Sequence, residues 1–406
     1  MPHLTARSAV RATDGITTLD ELARHLTDAA RIELSTIPPY LYAAYSLKTS
    51  GYSQWAQGAS AQRTLIGIAI EEMLHMALVR NVMVATKCET VDGKEFRFYD
   101  TDTIPAYPGD MLHRLPPLTL HTQRISTAAI EGFMEVELPE SKQQQTRKPS
   151  DEYHTLGELY DAIGKGIVAL SGRIAWGLDN TRWRQQYRRG YWNQWGGPPK
   201  PLPVVDQGSA LDALYVIVEQ GEGAPDEQED SHYQKFTRVR DHVDGIGVVD
   251  ESGQQKYTID SGDEAVWPVV TDPKATDFTG PVRTLAELSD AAYCYVLALL
   301  DKLYRTPADD PMGNDAGPES VRYGLERGFV AAMQGVLSPV AGLLVATPVG
   351  GGKNAGPTFG YYDLGARPKQ ALQDLCVRPE LMAAYPQLGG GDGVLHQISL
   401  LPDFTL

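Results

Sequence analysis

The sequence predicts a mainly α protein: a four-helix bundle with an irregular insertion and additional C-terminal helices. Three observations predict it. The stretches around 18–48 and 60–87 carry apolar residues at helical spacing. Both apolar stripes are interrupted by ionisable side chains rather than by turn residues. The Gly- and Pro-bearing punctuation that cuts a chain into short elements is concentrated at 88–153 and beyond 347.

The first helix covers 18–48. Thr18-Leu19-Asp20-Glu21 is a capping box, in which threonine and glutamate satisfy free amides at the helix start. Leu22, Leu26, Ala29 and Glu33 share a face, so Glu33 points where the leucines point. Pro38 and Pro39 follow at once in "RIELSTIPPYLYAAY". They cannot donate the backbone bonds that close on Leu34 and Ser35, and a kink is expected just after Glu33. Tyr40, two turns beyond Glu33 on the same face, is the candidate catalytic side chain, as a donor to a ligand or a redox partner; plain packing is the alternative.

The second helix covers about 60–87, with Leu65, Ile68, Glu72, His75 and Val79 on one face. Short extended runs follow in 88–153, and "STAAIEGFMEVELPE" reads as a short helix stopped by Pro139. A third long helix starts at Thr155 and runs to about Trp176. The Arg- and Trp-rich segment after it reads as an irregular connection with cation–π packing, or as an anion site. A helix over 209–222 ends in a glycine-flanked acidic turn, and "HYQKFTRVRDHV" resumes the helical pattern. Residues 245–283 suggest a small hairpin. Two further helices, near 284–305 and 318–346, carry apolar stripes without a buried acid, and the tail from 347 is expected to be mostly irregular. The expected division is therefore a metal-binding bundle over 1–244, with its insertion at 88–153, and a C-terminal extension over 245–406.

The chemistry lies in the interrupted stripes. A buried carboxylate costs several kcal/mol unless it is paired or bound to a cation. Glu72-Met73-Leu74-His75 is E-x-x-H, which puts a carboxylate and an imidazole on one helix face as neighbouring ligands. A lone glutamate on one helix followed by E-x-x-H on the next is half of the recurring two-metal bundle site. Glu33 with Glu72 and His75 fits that half. For the other half the candidates are Glu158, Glu222 and His232. Glu158 and Glu222 fall at comparable levels of two antiparallel helices, although Thr155-x-x-Glu158 is also a capping box. Glu229-Asp230-Ser231-His232 is a second E-x-x-H. Glu137, Glu219 and Glu229 are substitutes for the weaker ligands. The remaining histidines, His25 and His113 among them, have no partnered spacing and read as surface or core residues.

Composition narrows the partners. At 406 residues the chain can bury a large core, and its net charge of −16 argues against nucleic acid or an anionic membrane surface. Cys88, Cys294 and Cys376 are far apart with no CxxC pair, so neither a disulfide framework nor a zinc ribbon is supported. The polar start and the lack of any run near 18 uninterrupted apolar residues point to a cytoplasmic protein.

In order along the chain, "ELSTIPPYLYAAYSL", "IEEMLHMALVRNVMVAT", "FMEVELPE", "TLGELYDAI", "IVEQGEG" and "SHYQKF" resemble the ferritin-like domain of iminophenyl-pyruvate dimer synthases. "AGPTF" resembles a later part of those enzymes, which act in the violacein, staurosporine and rebeccamycin pathways and are much longer chains. The resemblance implies a non-haem iron-dependent oxidative role, such as coupling of imines derived from an amino acid. The expectation is an oxidoreductase of secondary metabolism with one or two iron ions, manganese being the alternative metal. Its expected partners are a small-molecule substrate and O2 or peroxide, and self-association into a homo-oligomer is admitted. Peroxide disproportionation by a manganese pair and non-enzymatic iron binding are the competing classes.

Overall fold

A computed structural model describes residues 10–12, 15–48, 61–139, 153–177, 181–187, 203–221, 231–241, 265–308 and 320–406. The chain divides into two compact units. The first comprises Met1–Phe96, Pro108–His121 and Ile125–Ala265, and the second Arg97–Tyr107, Thr122–Arg124 and Val266–Leu406.

The first unit is built on α1 (Leu19–Tyr45) and α2 (Ala61–Thr86), which pack along their lengths. The capping box at the start of α1 forms as expected, with the Thr18 side chain on the Glu21 amide and Glu21 on the Thr18 amide. The helix runs through Pro38 and Pro39 without interruption to Tyr45. Burial on nearly every side holds it there, because Ile37 to Ala44 are all buried and packing outweighs the missing backbone bonds. The α2 helix is likewise buried almost all round from Ala69 onward.

Two short antiparallel hairpins follow, β1 (Thr90–Val91) with β2 (Lys94–Glu95) and β3 (Gly109–Asp110) with β4 (Thr119–Leu120). Then come α3 (Thr127–Val136), α4 (Leu156–Leu170), α5 (Gln207–Gln220) and α6 (His232–Arg240). The α1, α2, α5 and α4 helices close a four-membered ring of packed pairs, while α3 packs on α6 and α6 on α2. The α4 helix is shorter than expected, passing at Ser171 into a single 3-10 turn. Of the Arg- and Trp-rich segment, residues 181–187 are described. There Arg182 pairs with Glu89 and donates to Val84 O at 3.1 Å. Glu89 also meets Arg80 Nη1 at 3.0 Å, and the Arg80 guanidinium stacks over Phe96.

The second unit centres on α7 (Gly280–Arg305), buried along most of its length. It is followed by α8 (Val321–Ala332), a π turn at Met333–Leu337, and α9 (Ser338–Val345). Val321–Val345 is long and apolar enough to cross a membrane. However, half of its most apolar window is buried against protein, as in a core helix. The expected hairpin in 245–283 falls largely outside the described residues; from 265 on, the chain makes an isolated bridge, Val269 with Asn354, and a 3-10 turn. The tail differs from expectation. It forms the hairpin β5 (Pro348–Gly350) and β6 (Lys353–Asn354), then α10 (Pro368–Cys376), α11 (Pro379–Ala384) and α12 (Val394–Leu400). Its glycines and prolines punctuate these short helices, and Leu372, Leu375, Leu381, Leu388 and Ile398 supply a buried face. Within this unit, Asp290 on α7 is fully buried and accepts from the Thr358 hydroxyl and, at 2.7 Å, from the Gly360 amide. Burial pushes its carboxyl up to about 7, against the lowering effect of those two donors.

Candidate metal centre

The interior of the first unit collects acids and histidines. Glu33 comes from the middle of α1, and Glu72 and His75 come from α2. Glu137 is the C-cap residue of α3, and His232 is the first residue of α6, behind its N-cap Ser231. All five side chains are buried. Their ligand atoms form two groups, Glu33 with Glu72 and His75, and Glu72 with Glu137 and His232, and each group lies within 4.8 Å. Glu72 belongs to both.

The distances show how they converge. His75 Nδ1 is 3.4 Å from Glu33 Oε2 and 3.7 Å from Glu72 Oε1. His232 Nδ1 is 2.8 Å from Glu72 Oε1 and 3.5 Å from Glu137 Oε2. The outward nitrogens are engaged elsewhere. His75 Nε2 is hydrogen-bonded to Gln220 Oε1 at 2.8 Å. An amide oxygen only accepts, so Nε2 carries a proton, and Nδ1 is the ring atom that faces the carboxylates. His232 Nε2 is 3.0 Å from Glu71 Oε2, and both Glu71 oxygens lie 2.6 Å from Lys235 Nζ.

Hydroxyls brace the carboxylates from behind. Tyr40 donates to Glu137 Oε1 at 2.8 Å and Tyr160 donates to Glu33 Oε1. Thr36 Oγ1 is 2.8 Å from Glu72 Oε2. Tyr40 therefore stands behind a carboxylate as a hydrogen-bond donor. Edge-on contacts with Phe133 and Phe236 fix its ring.

Burial and neighbouring charges act against one another at this centre. Burial and the neighbouring Glu137 push Glu72 up to about 7, with His232 pulling the other way. Burial opposes ionisation of Glu137 too, yet His232 and the Tyr40 hydroxyl hold it below the usual carboxylate range. Burial disfavours a charged His232, but Glu137, Glu71 and Glu72 outweigh it and raise the imidazole well above its ordinary value. Burial alone would raise Glu71, and His232 with Lys235 bring it down to about 2.

These residues fit a cation. Three buried carboxylates and the His75 imidazole line one small cavity of about 20 Å³, whose walls also include Ile32, Val136, Ile217 and Gly221. The His232 imidazole meets two of those carboxylates, Glu72 and Glu137. Neither ring nitrogen of His232 makes a linear hydrogen bond among the described residues, although the ring is fully buried. A nitrogen aimed at acceptors without a bond, in so acidic a pocket, is the arrangement that a metal ion resolves.

Of the sequence-predicted ligands, the structure gathers Glu33, Glu72, His75 and His232. Glu158 is not gathered. It is half-buried at the start of α4, where it accepts from the His154 amide at 2.8 Å while its own amide is capped by Thr155. Its carboxylate thus satisfies the helix start, and Tyr160 is the α4 residue that reaches the cluster. Glu137 supplies the carboxylate instead. Glu219 lies on α5 with its carboxylate bonded to the Tyr215 hydroxyl. Glu222 and Glu229 lie outside the described residues, although Gly221, beside Glu222, lines the cavity. Glu71, Gln220, Tyr160 and Thr36 had not been singled out from the sequence. The legible signal for Glu71 was the doubled acid Glu71-Glu72 in an otherwise apolar helix. His25 and His113 are core residues, bonded to Tyr153 at 3.0 Å and Asp28 at 2.9 Å.

A bundle of this kind, with acids and imidazoles converging at mid-height, defines a class. Residues 26–241 match the ferritin-like family model, more than half of the chain, and the protein belongs to the ferritin-like family. It is 28% identical to the dichlorochromopyrrolate synthase of Lentzea aerocolonigenes, over 87% of this chain and 37% of that protein. This chain therefore spans little more than a third of the length of that relative. A ferritin-like protein from Caulobacter vibrioides of known structure is 23% identical, with a TM-score of 0.48, covering 80% of this chain and 96% of that one.

Proposed function

We propose that the chain is a non-haem iron oxidoreductase with a two-ion centre, acting on a small amino-acid-derived metabolite. The reaction class is oxidative coupling of imines in natural-product biosynthesis. One observation carries the reading: two buried Glu/Glu/His groups share Glu72. The similarity to a synthase of chromopyrrolate type supports the substrate class.

Glu33 and His75 would hold one ion, Glu137 and His232 the other, with Glu72 shared and Glu222 as a sixth ligand. Carboxylate and imidazole donors suit iron or manganese, and a bound pair supplies redox equivalents and Lewis acidity. The side chains of this protein do the positioning. Tyr160 and Tyr40 hold Glu33 and Glu137 by their hydroxyls, and Gln220 holds the His75 tautomer. A cavity of about 20 Å³ has room for one water-sized molecule, which fits O2 or peroxide.

Anaerobic iron titration followed by oxygen exposure tests the proposal. One or two ions per chain, with oxidation on exposure to oxygen, is the expected result. Many ions per chain would instead mean storage, and zinc alone after growth with iron would count against redox chemistry. The small cavity also favours a second reading, peroxide disproportionation by a manganese pair. Oxygen evolution from hydrogen peroxide by the manganese-loaded protein would select it.

A further inference from the structure

Among the described residues the two candidate positions have matching inner sets. Each has a carboxylate and an imidazole of its own plus the shared Glu72: Glu33 with His75, and Glu137 with His232. Each private carboxylate also accepts one buried tyrosine hydroxyl. What differs is the group behind each imidazole. Behind His75 stands the neutral amide of Gln220, 2.8 Å from Nε2. Behind His232 stands the Glu71 carboxylate, 3.0 Å from Nε2, clamped through both oxygens by Lys235 at 2.6 Å.

We propose that Glu71 and Lys235 make the His232 position the tighter one, so that a divalent ion fills Glu72–Glu137–His232 before Glu33–Glu72–His75. The inference rests on the metal reading above. An anionic acceptor on the Nε2 proton fixes the tautomer and pushes electron density towards Nδ1, which strengthens the nitrogen as a ligand. The Glu71 contact is an ion-pair approach at 3.0 Å rather than a linear hydrogen bond, so it acts on His232 through its charge in a buried setting, whereas Gln220 offers His75 a hydrogen bond to a neutral amide. Lys235 lies three residues after His232 and on the same face of α6, so one helix carries both the imidazole and the cation that pins its acceptor. Glu71 and Lys235 are thus positioning residues that touch no reacting atom.

The test is a titration of the metal-free full chain with cobalt(II) chloride, followed by its d–d absorption and by calorimetry. Wild type is expected to bind in two separated steps. Glu71→Gln with Lys235→Met removes the ion pair yet keeps the local charge balance. It should weaken the first step by about 10- to 100-fold and leave the second nearly unchanged. Gln220→Glu should do the reverse and tighten the second step, an effect that misfolding cannot mimic. Equal weakening of both steps, weakening of the second alone, or no change overturns the loading order while leaving the metal centre standing. A wild-type protein that binds no cobalt overturns the metal reading itself, and the order with it. If the double variant fails to fold, Gln220→Glu decides alone: a tightened second step supports the order, and an unchanged one overturns it.

Discussion

Glu72→Gln should stabilise the metal-free protein while removing its metal. Glu72 is buried against Glu33 and Glu137, and its carboxyl is pushed from 4.5 up to about 7. A carboxyl raised in the folded state adds no cost below its unfolded value. The cost grows as pH rises through the interval and is complete above the folded value. At about 1.4 kcal/mol per pH unit, this linkage amounts to about 1 kcal/mol at pH 5 and about 3 kcal/mol at pH 8. Glutamine has the same shape and no charge, so the variant escapes that cost. In the presence of EDTA, urea unfolding at pH 8 should show the variant more stable by up to about 3 kcal/mol, with the gap narrowing by pH 5. Tryptophan fluorescence reports mainly on the first unit, since every tryptophan except Trp267 belongs to it. Adding manganese(II) should reverse the order, because ligand binding to the folded state stabilises only the protein that retains the shared carboxylate. A variant less stable than wild type at pH 8 without metal would refute the argument, as would equal stabilisation of both by manganese.

Further outcomes are expected elsewhere in the molecule. Tyr160→Phe leaves a Glu33 oxygen buried without its donor and should cost about 1–3 kcal/mol of metal-free stability, measured by urea unfolding. An unchanged midpoint would show that the hydroxyl is not bonded in solution. Asp290→Asn keeps an oxygen for Thr358 and Gly360 and removes an acid raised to about 7. Wild type should lose stability as pH rises from 5 to 8, by an amount on the order of 3 kcal/mol from this group, and the variant should show a flatter profile in thermal unfolding. Gly166→Ala would set a Cβ 2.7 Å from Ile16 Cβ and Cγ2. The overpacking should cost about 1–3 kcal/mol despite the better helix former, and a stabilised variant would disprove the close approach.

Much of the fold was legible because local rules and packing agreed. Thr18 with Glu21 marks the start of α1, and the stripe from Leu22 to Glu33 marks its buried face, so periodicity alone located the helix and turned the acid inward. The E-x-x-H of Glu72 and His75 was legible for the same reason, since a helix fixes the relation of residues three apart without help from the rest of the chain. That condition fails in the C-terminal part of the chain. The tail looked irregular because each of its helices is too short for a periodic signal to outweigh the glycines and prolines between them.

The sequence by itself determined that this chain forms long helices with acids and a histidine on their inner faces, and hence half of the candidate metal centre. Only the tertiary structure decided the other half. Glu158 and Glu137 are both glutamates at helix ends, and spacing cannot rank them. The choice follows from which end faces the shared interior: the start of α4 uses Glu158 to satisfy the His154 amide, while the end of α3 turns Glu137 inward to Tyr40 and His232. Nor could the sequence pair Glu71 with His232, which lie 161 residues apart on α2 and α6. A helix dictates the direction of a side chain relative to its own axis, but what that side chain meets depends on how separate helices pack, and that is fixed by the summed burial of the whole core.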